Sequence, residues 1–227
     1  MSDLQLLTGL FKEELKNRFL CLVEVNGVDT LCYIPSSCKL SNFLDLTGKT
    51  VLLKPNLSAQ SRTKYAVYAL QTTGRHFVLL NMSESNRIIE AAIVKRRFSF
   101  LGKRTQIKRE CTVEGYKCDL YIEDTKTIIE IKSLLAFNKQ AVFPSVFSQR
   151  AIDQLKCMGE LLEKGYRVVY VFASLNPEVK LLTINSDIID YYRSFKVCIE
   201  KGMIIKGYTF AETEGEFTIK TPVRINV

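Results

Sequence analysis

The sequence is poor in the residues from which zinc sites and membrane spans are built. Among 227 residues there is one histidine, His76, and the 7 cysteines never form a C-x-x-C pair. Few ligands therefore stand at Cys/His zinc spacing, and we interpret the cysteines as small core or surface residues. No apolar run is long enough to span a bilayer, and no signal peptide is apparent. We expect a reduced, cytoplasmic protein without membrane contact.

Acidic residues are outnumbered by basic ones. The chain has 32 Lys and Arg against 24 Asp and Glu, a net charge of +8 and a pI of about 9.1. Such an excess favours an anionic partner, nucleic acid being the commonest, although an ordinary basic protein remains the alternative. With 47% hydrophobic and 25% charged residues, the composition predicts a packed core.

The first third of the chain reads as a small β domain. Residues 18–25 and 28–34 are strand-like and flank Asn26-Gly27, a two-residue hairpin turn. Closely spaced short strands favour a small barrel or sandwich, and we assign residues 1–81 to it. Further strands are predicted at residues 51–54, 65–70 and 76–80.

The pattern changes near Asn81 to one of alternating helices and strands. Apolar residues recur at helical spacing, and residues 167–173 form a nearly continuous apolar strand, typical of burial on both faces. The order predicts an α/β domain with a mixed sheet over residues 82–227. Helices are predicted from about residue 83, at 148–164 and at 187–201, and the last strands at 203–210 and 216–220.

A hairpin at residues 116–132 carries unexpected charges. With a turn at residues 123–126, Asp119 pairs with Glu130 across the ladder, and Lys132 shares the face of Glu130. Cross-strand carboxylates about 5 Å apart would repel by on the order of 3 kcal/mol at an effective dielectric of about 20. A hard divalent cation, Mg²⁺ or Mn²⁺, would relieve this repulsion.

The hairpin therefore predicts a catalytic group. Asp119 and Glu130 would hold the metal, and Lys132 would stabilise developing negative charge or position a water, which suits phosphodiester hydrolysis. The alternative is a solvent-facing hairpin whose charges only maintain solubility. A one-residue slip in register would separate the two acids.

Basic residues cluster between Lys95 and Arg109, and they are the best candidates for phosphate contact. Phe98 and Phe100 lie among them, as base-stacking groups or as core residues. Arg150, at the start of the second long helix, is a further candidate. We predict nucleic-acid binding by Lys95, Arg96, Arg97, Lys103, Arg104 and Arg150, with weaker candidates on the barrel at Arg62, Lys64, Tyr65 and Arg75.

Several segments together resemble one known family. Asp119 followed by Glu130-Ile-Lys132 is similar to the core of PD-(D/E)XK nucleases, and "IEIKSLLAFNKQAVFPSVFSQRAIDQL" resembles the central signature of the sugar fermentation stimulation protein A family. "KNRFLCLVEVNG", "SRTKYAVYAL", "LNMSESNRIIEAAI" and "TPVRINV" resemble its other segments, in order. Positions matching the central signature are Glu130, Lys132, Ser133, Phe143, Pro144, Arg150 and Leu155.

The resemblance implies an OB-fold-like barrel followed by a nuclease-like α/β domain, DNA binding and a metal-dependent nuclease centre. The sequence departs from the family pattern where Ser145 replaces an aspartate and Asp153-Gln154 replace Lys-His. The family glutamate of the first helix stands one place earlier, as Glu90. Glu110 matches a further family acid, with Glu114 as the competing candidate.

Two functions remain open from the sequence. The first is a DNA-binding protein with a divalent-metal-dependent phosphodiesterase site. The second is a DNA-binding regulator of sugar metabolism that uses a nuclease-like scaffold without catalysis. RNA is not excluded as the partner.

Overall fold

The structure, a computed structural model, describes residues 6–17, 19–35, 40, 45–58, 60–72 and 76–227. The chain divides into two compact units. The first comprises Met1–Glu84 and Ala211–Thr218, and the second comprises Ser85–Phe210 and Ile219–Val227. The sequence boundary at residues 81/82 assigned all later residues to the second domain, whereas the structure groups residues 211–218 with the first.

The first unit contains an OB-like barrel, as expected from the sequence. The sheet order is β3-β2-β1-β4-β5-β6, and an additional β3–β5 pairing closes five of the strands into a barrel. The strands are β1 (Leu7–Glu14), β2 (Leu20–Val25), β3 (Val28–Tyr33), β4 (Thr50–Pro55), β5 (Tyr65–Gln71) and β6 (Phe77–Leu79).

The β2–β3 hairpin shows how local sequence determines the barrel. Asn26 and Gly27 have φ values of 52° and 78°, as the two-residue turn between strands requires. The turn sets a register in which Cys21 lies opposite Cys32. Both cysteines are fully buried, which places this face of the hairpin in the barrel core.

The second unit is built on a mixed six-stranded sheet of order β16-β15-β13-β11-β10-β7. Strands β11, β13 and β15 are parallel, whereas β10 is antiparallel to both β11 and β7. The expected combination of a mixed sheet with helices is confirmed. The strands are β7 (Ile107–Arg109), β8 (Thr112–Val113), β9 (Tyr116–Lys117), β10 (Leu120–Ile122), β11 (Thr127–Leu134), β12 (Gln140–Phe143), β13 (Arg167–Ser174), β14 (Leu181–Ile184), β15 (Ile204–Thr213), β16 (Glu216–Pro222) and β17 (Arg224–Asn226).

Three helices accompany this sheet: α1 (Glu84–Val94), α2 (Gln149–Glu163) and α3 (Ile189–Glu200). The Ser148 hydroxyl caps α2 by accepting a hydrogen bond from the Ala151 N–H. Residues from α2, α3, β11 and β13 share one buried apolar cluster, which explains why α2 lies over the strand that carries the charges. No helix in the described part of the chain is long and apolar enough to cross a membrane.

The β10–β11 hairpin has the predicted register over its ladder. Ile122 pairs with Thr127 and Leu120 with Ile129, across a turn at Glu123–Thr125. The ladder ends at Leu120, however, so Asp119 is not a ladder partner of Glu130. The solvent-facing alternative is wrong, because Glu130 is only 4% exposed.

Asp124 holds the turn of this hairpin against the preceding segment. Its carboxylate accepts hydrogen bonds from the Gln106 N–H at 2.9 Å, the Thr105 N–H at 2.6 Å and the Thr105 hydroxyl at 2.8 Å. Backbone donation by Gln106 is the largest cause that lowers the pKa of Asp124 from 3.8 to about 2.

We predict that Asp124→Asn destabilises the protein in a pH-dependent way. A carboxyl whose pKa is lowered by folding contributes stability above its unfolded pKa of 3.8, and this stability is lost as the pH falls through about 2. In urea unfolding, the difference between wild type and variant should be largest near neutral pH and shrink in acid. Asp187→Asn, at an exposed aspartate, is the matched control; an equal, pH-independent loss in both variants would contradict the prediction.

Candidate functional site

Asp119 lies just before β10 and is held at both carboxylate oxygens. The Ile131 N–H donates to Oδ2 at 2.7 Å, and the Asn86 side-chain amide donates to Oδ1 at 3.0 Å. One bond comes from β11 and the other from α1, so the carboxylate is oriented by two separate elements. Asp119 is thus brought beside Glu130 by the backbone of the next residue, Ile131, instead of by ladder pairing.

Glu130 lies in the middle of β11, where its carboxylate has two partners. The Tyr116 hydroxyl donates to Oε2 at 2.6 Å, and the Lys132 ammonium donates to Oε1 at 2.6 Å. The strand alternation that puts residues 130 and 132 on one face makes the second contact possible. Burial raises the pKa of Glu130 above its ordinary 4.5, the Lys132 charge lowers it, and the Asp119 charge raises it further.

Lys132 is largely buried, with 19% of its side chain exposed. Besides Glu130, its ammonium donates to the Gln154 side-chain oxygen at 2.8 Å, and it lies 5.9 Å from the centroid of the Tyr170 ring. An ammonium has three donors. Two are engaged by Glu130 and Gln154, so one is left for a water or a substrate oxygen.

These groups form the wall of an open cleft of ≈ 600 Å³. Asp119, Glu130 and Lys132 lie together there, which is the grouping predicted from the sequence. The β12–α2 segment also contributes to the lining, including Arg150, which is exposed and has no hydrogen-bond or ion-pair partner among the described residues. The full lining is Glu110, Lys117, Cys118, Asp119, Glu130, Ile131, Lys132, Phe143, Pro144, Ser145, Val146, Ser148, Arg150, Ala151 and Gln154.

The donor set of the cleft fits a hard divalent cation. In the described residues no cluster of three or more His, Cys, Asp or Glu is found. Mg²⁺ and Mn²⁺ are nevertheless bound in many phosphate-handling sites by one or two carboxylates, with the remaining ligands from water and substrate. Each carboxylate oxygen of Asp119 and Glu130 accepts one hydrogen bond and has further lone-pair capacity. A cation would also offset the burial cost of the Glu130 charge.

The additional acids predicted from the sequence lie in different places. Glu110 lines the cleft, and its backbone N–H donates to the Asp119 carbonyl at 2.8 Å, although its side chain is 70% exposed and paired with Lys117. Glu114 instead pairs with Lys164 and is not part of the lining. Glu90 forms an ion pair with Arg109 and is also outside it.

Most of the predicted phosphate-binding residues lie outside the cleft lining. Lys95, Arg96 and Arg97 are exposed beyond the last turn of α1, where Arg97 donates to the Ile219 carbonyl at 2.9 Å. Lys103 forms an ion pair with Asp124, with its Nζ 3.5 Å from Oδ1.

Other members of the basic stretch have internal roles. The Arg104 guanidinium donates to the carbonyls of Ile93 and Gly102. Phe98 is 4% exposed and packs 5.0 Å from the ring of Tyr208, so it is a core residue and not a base-stacking group. On the barrel, Arg62 and Lys64 are exposed and Tyr65 is half-buried, whereas Arg75 lies outside the described residues.

Sequence reasoning missed three residues that hold the site together: Asn86, Tyr116 and Gln154. Asn86 and Gln154 lie in segments that resemble the family motifs, so the resemblance could have indicated them as site residues. Gln154 even marks a departure, at a position where the family pattern has histidine. Tyr116 gave no signal, because only the folded hairpin brings its hydroxyl to Glu130.

The fold and the cleft geometry define a two-part protein with an OB-like barrel and a cleft-bearing α/β unit. Comparison with family models identifies each part. Residues 15–80 match the "SfsA N-terminal OB domain", and residues 83–216 match the "Sugar fermentation stimulation protein RE domain". The chain belongs to the sugar fermentation stimulation protein family.

Individual relatives resemble the chain over most of its length. A sugar fermentation stimulation protein homolog from Acetivibrio thermocellus is 25% identical over 197 residues, covering 85% of this chain and 84% of the relative. The homolog from Caldanaerobacter subterraneus is 25% identical over 224 residues, covering 97% and 96%. A solved structure of Pyrococcus furiosus SfsA in complex with Ca²⁺ has the same fold, with a TM-score of 0.80, 21% identity and coverage of 100% of this chain and 98% of that one.

We predict that removing the lysine partner of Glu130 is more costly than removing both charges. Lys132→Met leaves a buried carboxylate without its cation and should cost about 3 kcal/mol of unfolding free energy. Adding Glu130→Gln should recover most of that loss. Urea unfolding in EDTA at neutral pH measures both effects.

A tyrosine pair provides the control for this experiment. Tyr116→Phe removes a hydrogen bond to buried Glu130 and should cost about 1–3 kcal/mol. Tyr166→Phe removes a 3.4 Å contact to the exposed Glu114 and should cost far less. Additive losses in the Lys132 and Glu130 variants would contradict the coupling.

Proposed function

We propose that this chain binds DNA in the cytoplasm and hydrolyses its phosphodiester bonds with Mg²⁺ or Mn²⁺ held by Asp119 and Glu130. The observation that supports this proposal is the placement of two carboxylates and a buried lysine in one open cleft. Two oriented acids and a lysine suit metal-assisted phosphodiester hydrolysis.

Residues of this chain orient the two carboxylates and supply one further hydrogen-bond donor. When bound, the cation would neutralise phosphate charge and lower the pKa of a coordinated water. Tyr116 and Lys132 hold the Glu130 carboxylate from both oxygens, and Asn86 with the Ile131 N–H holds Asp119. The remaining Lys132 N–H is available to position a water or to stabilise negative charge on a phosphate oxygen.

Two further observations support this proposal. The solved Pyrococcus furiosus relative is described as a complex with Ca²⁺, another hard divalent cation that takes oxygen ligands. The net charge of +8 favours a polyanionic partner, and exposed Arg150 lies in the cleft lining, where it would contact a phosphate.

A second candidate is a DNA-binding regulator without catalysis. The observation in its favour is the altered cleft wall, where Ser145 and Gln154 replace the aspartate and histidine of the family pattern. The Gln154 side-chain oxygen occupies one donor of Lys132. Under this alternative, DNA affinity persists whereas cleavage is absent in the wild type.

We predict metal-dependent cleavage that requires the cleft acids. Wild type with Mg²⁺ or Mn²⁺ should cut single-stranded, double-stranded or branched DNA, and Asp119→Asn, Glu130→Gln and Lys132→Met should each lower the rate by roughly 100-fold or more. Timed gel assays measure the rates, and circular dichroism verifies that the variants are folded.

Glu110 and Glu114 provide a matched pair of glutamates for the same assay. Glu110→Gln removes an acid from the cleft lining and should slow cleavage, whereas Glu114→Gln removes an acid outside it and should not. Cleavage by Glu130→Gln at the wild-type rate would refute the catalytic assignment. DNA binding without any cleavage by the wild type would favour the regulator.

We also predict that DNA binding is strongly salt-dependent and that Arg150 contributes to it. Each phosphate contact adds about one unit to the slope of log affinity against log salt, so Arg150→Gln should lower the slope by about 1. Arg193→Gln, at an exposed arginine of α3 outside the cleft lining, should leave it unchanged. Fluorescence anisotropy with labelled DNA and RNA in parallel measures the slopes and the preference, and a salt-independent affinity would contradict nucleic-acid binding.

A further inference from the structure

Two cysteines lie opposite each other at the edge of the cleft. Cys111 and Cys118 fit the register that pairs Arg109 with Leu120 and Thr112 with Lys117. The Cys118 N–H donates to the Cys111 carbonyl at 3.0 Å, and the two sulfur atoms are 3.7 Å apart. Neither thiol is required by the proposed hydrolysis.

The geometry is compatible with a disulfide. The hydrogen bond from the Cys118 N–H to the Cys111 carbonyl holds the two backbones side by side, and disulfides accept Cα separations of about 4.4–6.8 Å. Closing the bond would bring the sulfurs from 3.7 Å to about 2.0 Å, a movement that side-chain rotation and a small strand shift can supply.

We propose that Cys111 and Cys118 form a reversible disulfide at the edge of the cleft. The two thiols differ in access, because Cys111 is half-buried whereas Cys118 is 1% exposed. Cys111 is therefore the thiol that meets a reagent from solution, and Cys118 is the thiol that resolves the product.

The oxidant is a low-molecular-weight disulfide such as oxidised glutathione. The Cys111 thiolate attacks one of its sulfurs, the S–S bond breaks, and one glutathione leaves as a thiolate that takes up a proton. The Cys118 thiol then loses its proton to water, and the resulting thiolate attacks Cys111 Sγ, which breaks the mixed disulfide and releases the second glutathione as a thiolate that takes up a proton. Two protein thiols are oxidised and one glutathione disulfide is reduced to two thiols, so the exchange balances.

The bond would act on the residues next to it. Glu110 and Asp119 adjoin the two cysteines, and the Glu110 N–H donates to the Asp119 carbonyl. The ladder is irregular at this point, where Glu110 has a φ of 45°, so the crosslink would shift a backbone that regular pairing does not hold. This expectation rests on the proposed cation site. A shifted backbone should weaken cation binding, because the contacts that orient a metal ligand typically change metal affinity by about 10-fold or more.

The chain contains its own control pair. Cys21 and Cys32 are also directly opposed across a hairpin, but both are fully buried in the barrel. Native protein is equilibrated with graded mixtures of oxidised and reduced glutathione, alkylated with N-ethylmaleimide and mapped by mass spectrometry. We expect a Cys111–Cys118 disulfide that dithiothreitol reverses, whereas Cys21 and Cys32 remain thiols.

Single variants test the order of attack. Cys118→Ser should stop at a glutathione adduct on Cys111, and Cys111→Ser should form no disulfide involving residue 118. A wild type that stops at the same adduct, or that oxidises Cys21 and Cys32 equally well, would overturn the proposal.

Calorimetric titration with Ca²⁺ tests the effect of the disulfide on the cleft independently of whether the disulfide forms. We expect affinity about tenfold weaker in the oxidised than in the reduced protein. Equal affinity in both forms would overturn the effect on the cleft. Absence of Ca²⁺ binding in the reduced protein would count against the proposed cation site, while the mass mapping still decides the disulfide.

Discussion

The site depends on one buried ion pair in the middle of β11. A carboxylate that is 4% exposed is costly to ionise unless charges and hydrogen bonds surround it, and Glu130 has Lys132 on one oxygen and Tyr116 on the other. Those partners come from the same strand and from the β9 hairpin, and α2 completes the group through Gln154. Strand β11 pairs with β13 along its whole length and with β10 up to Ile129, so it fixes charges that a loop would hold less accurately.

The part of this arrangement that follows local rules could be predicted from sequence. Strand alternation and the four-residue turn gave the pairing of Ile122 with Thr127. They could not show that the ladder ends at Leu120, because side-chain alternation indicates the register of a ladder and not its length. The contact of Asn86 with Asp119 joins residues far apart in sequence, and no local periodicity encodes it.

Three strands of the second unit were not predicted from the sequence for a similar reason. Strands β12, β14 and β17 are short, and they pair in parallel with partners distant in the chain, so no hairpin turn signals them.

In the basic stretch, sequence reasoning predicted phosphate contacts at residues that the folded chain uses internally. The charge pattern predicted that Lys103 and Arg104 contact phosphate. In the structure Lys103 forms an ion pair with an aspartate, and Arg104 donates hydrogen bonds to two backbone carbonyls. Net charge thus indicates a class of partner better than it identifies the contacting residues.

The assignment of residues 211–218 to the first unit affects how this chain can be made and cut. The ring of Tyr68 packs edge-on against Phe217 at 5.4 Å, so the first unit includes a contact supplied from near the C-terminus. During synthesis from the N-terminus, that contact cannot form until residue 217 has been made. A fragment that stops at residue 84 would lack it, so a single cut of the chain cannot release the first unit intact.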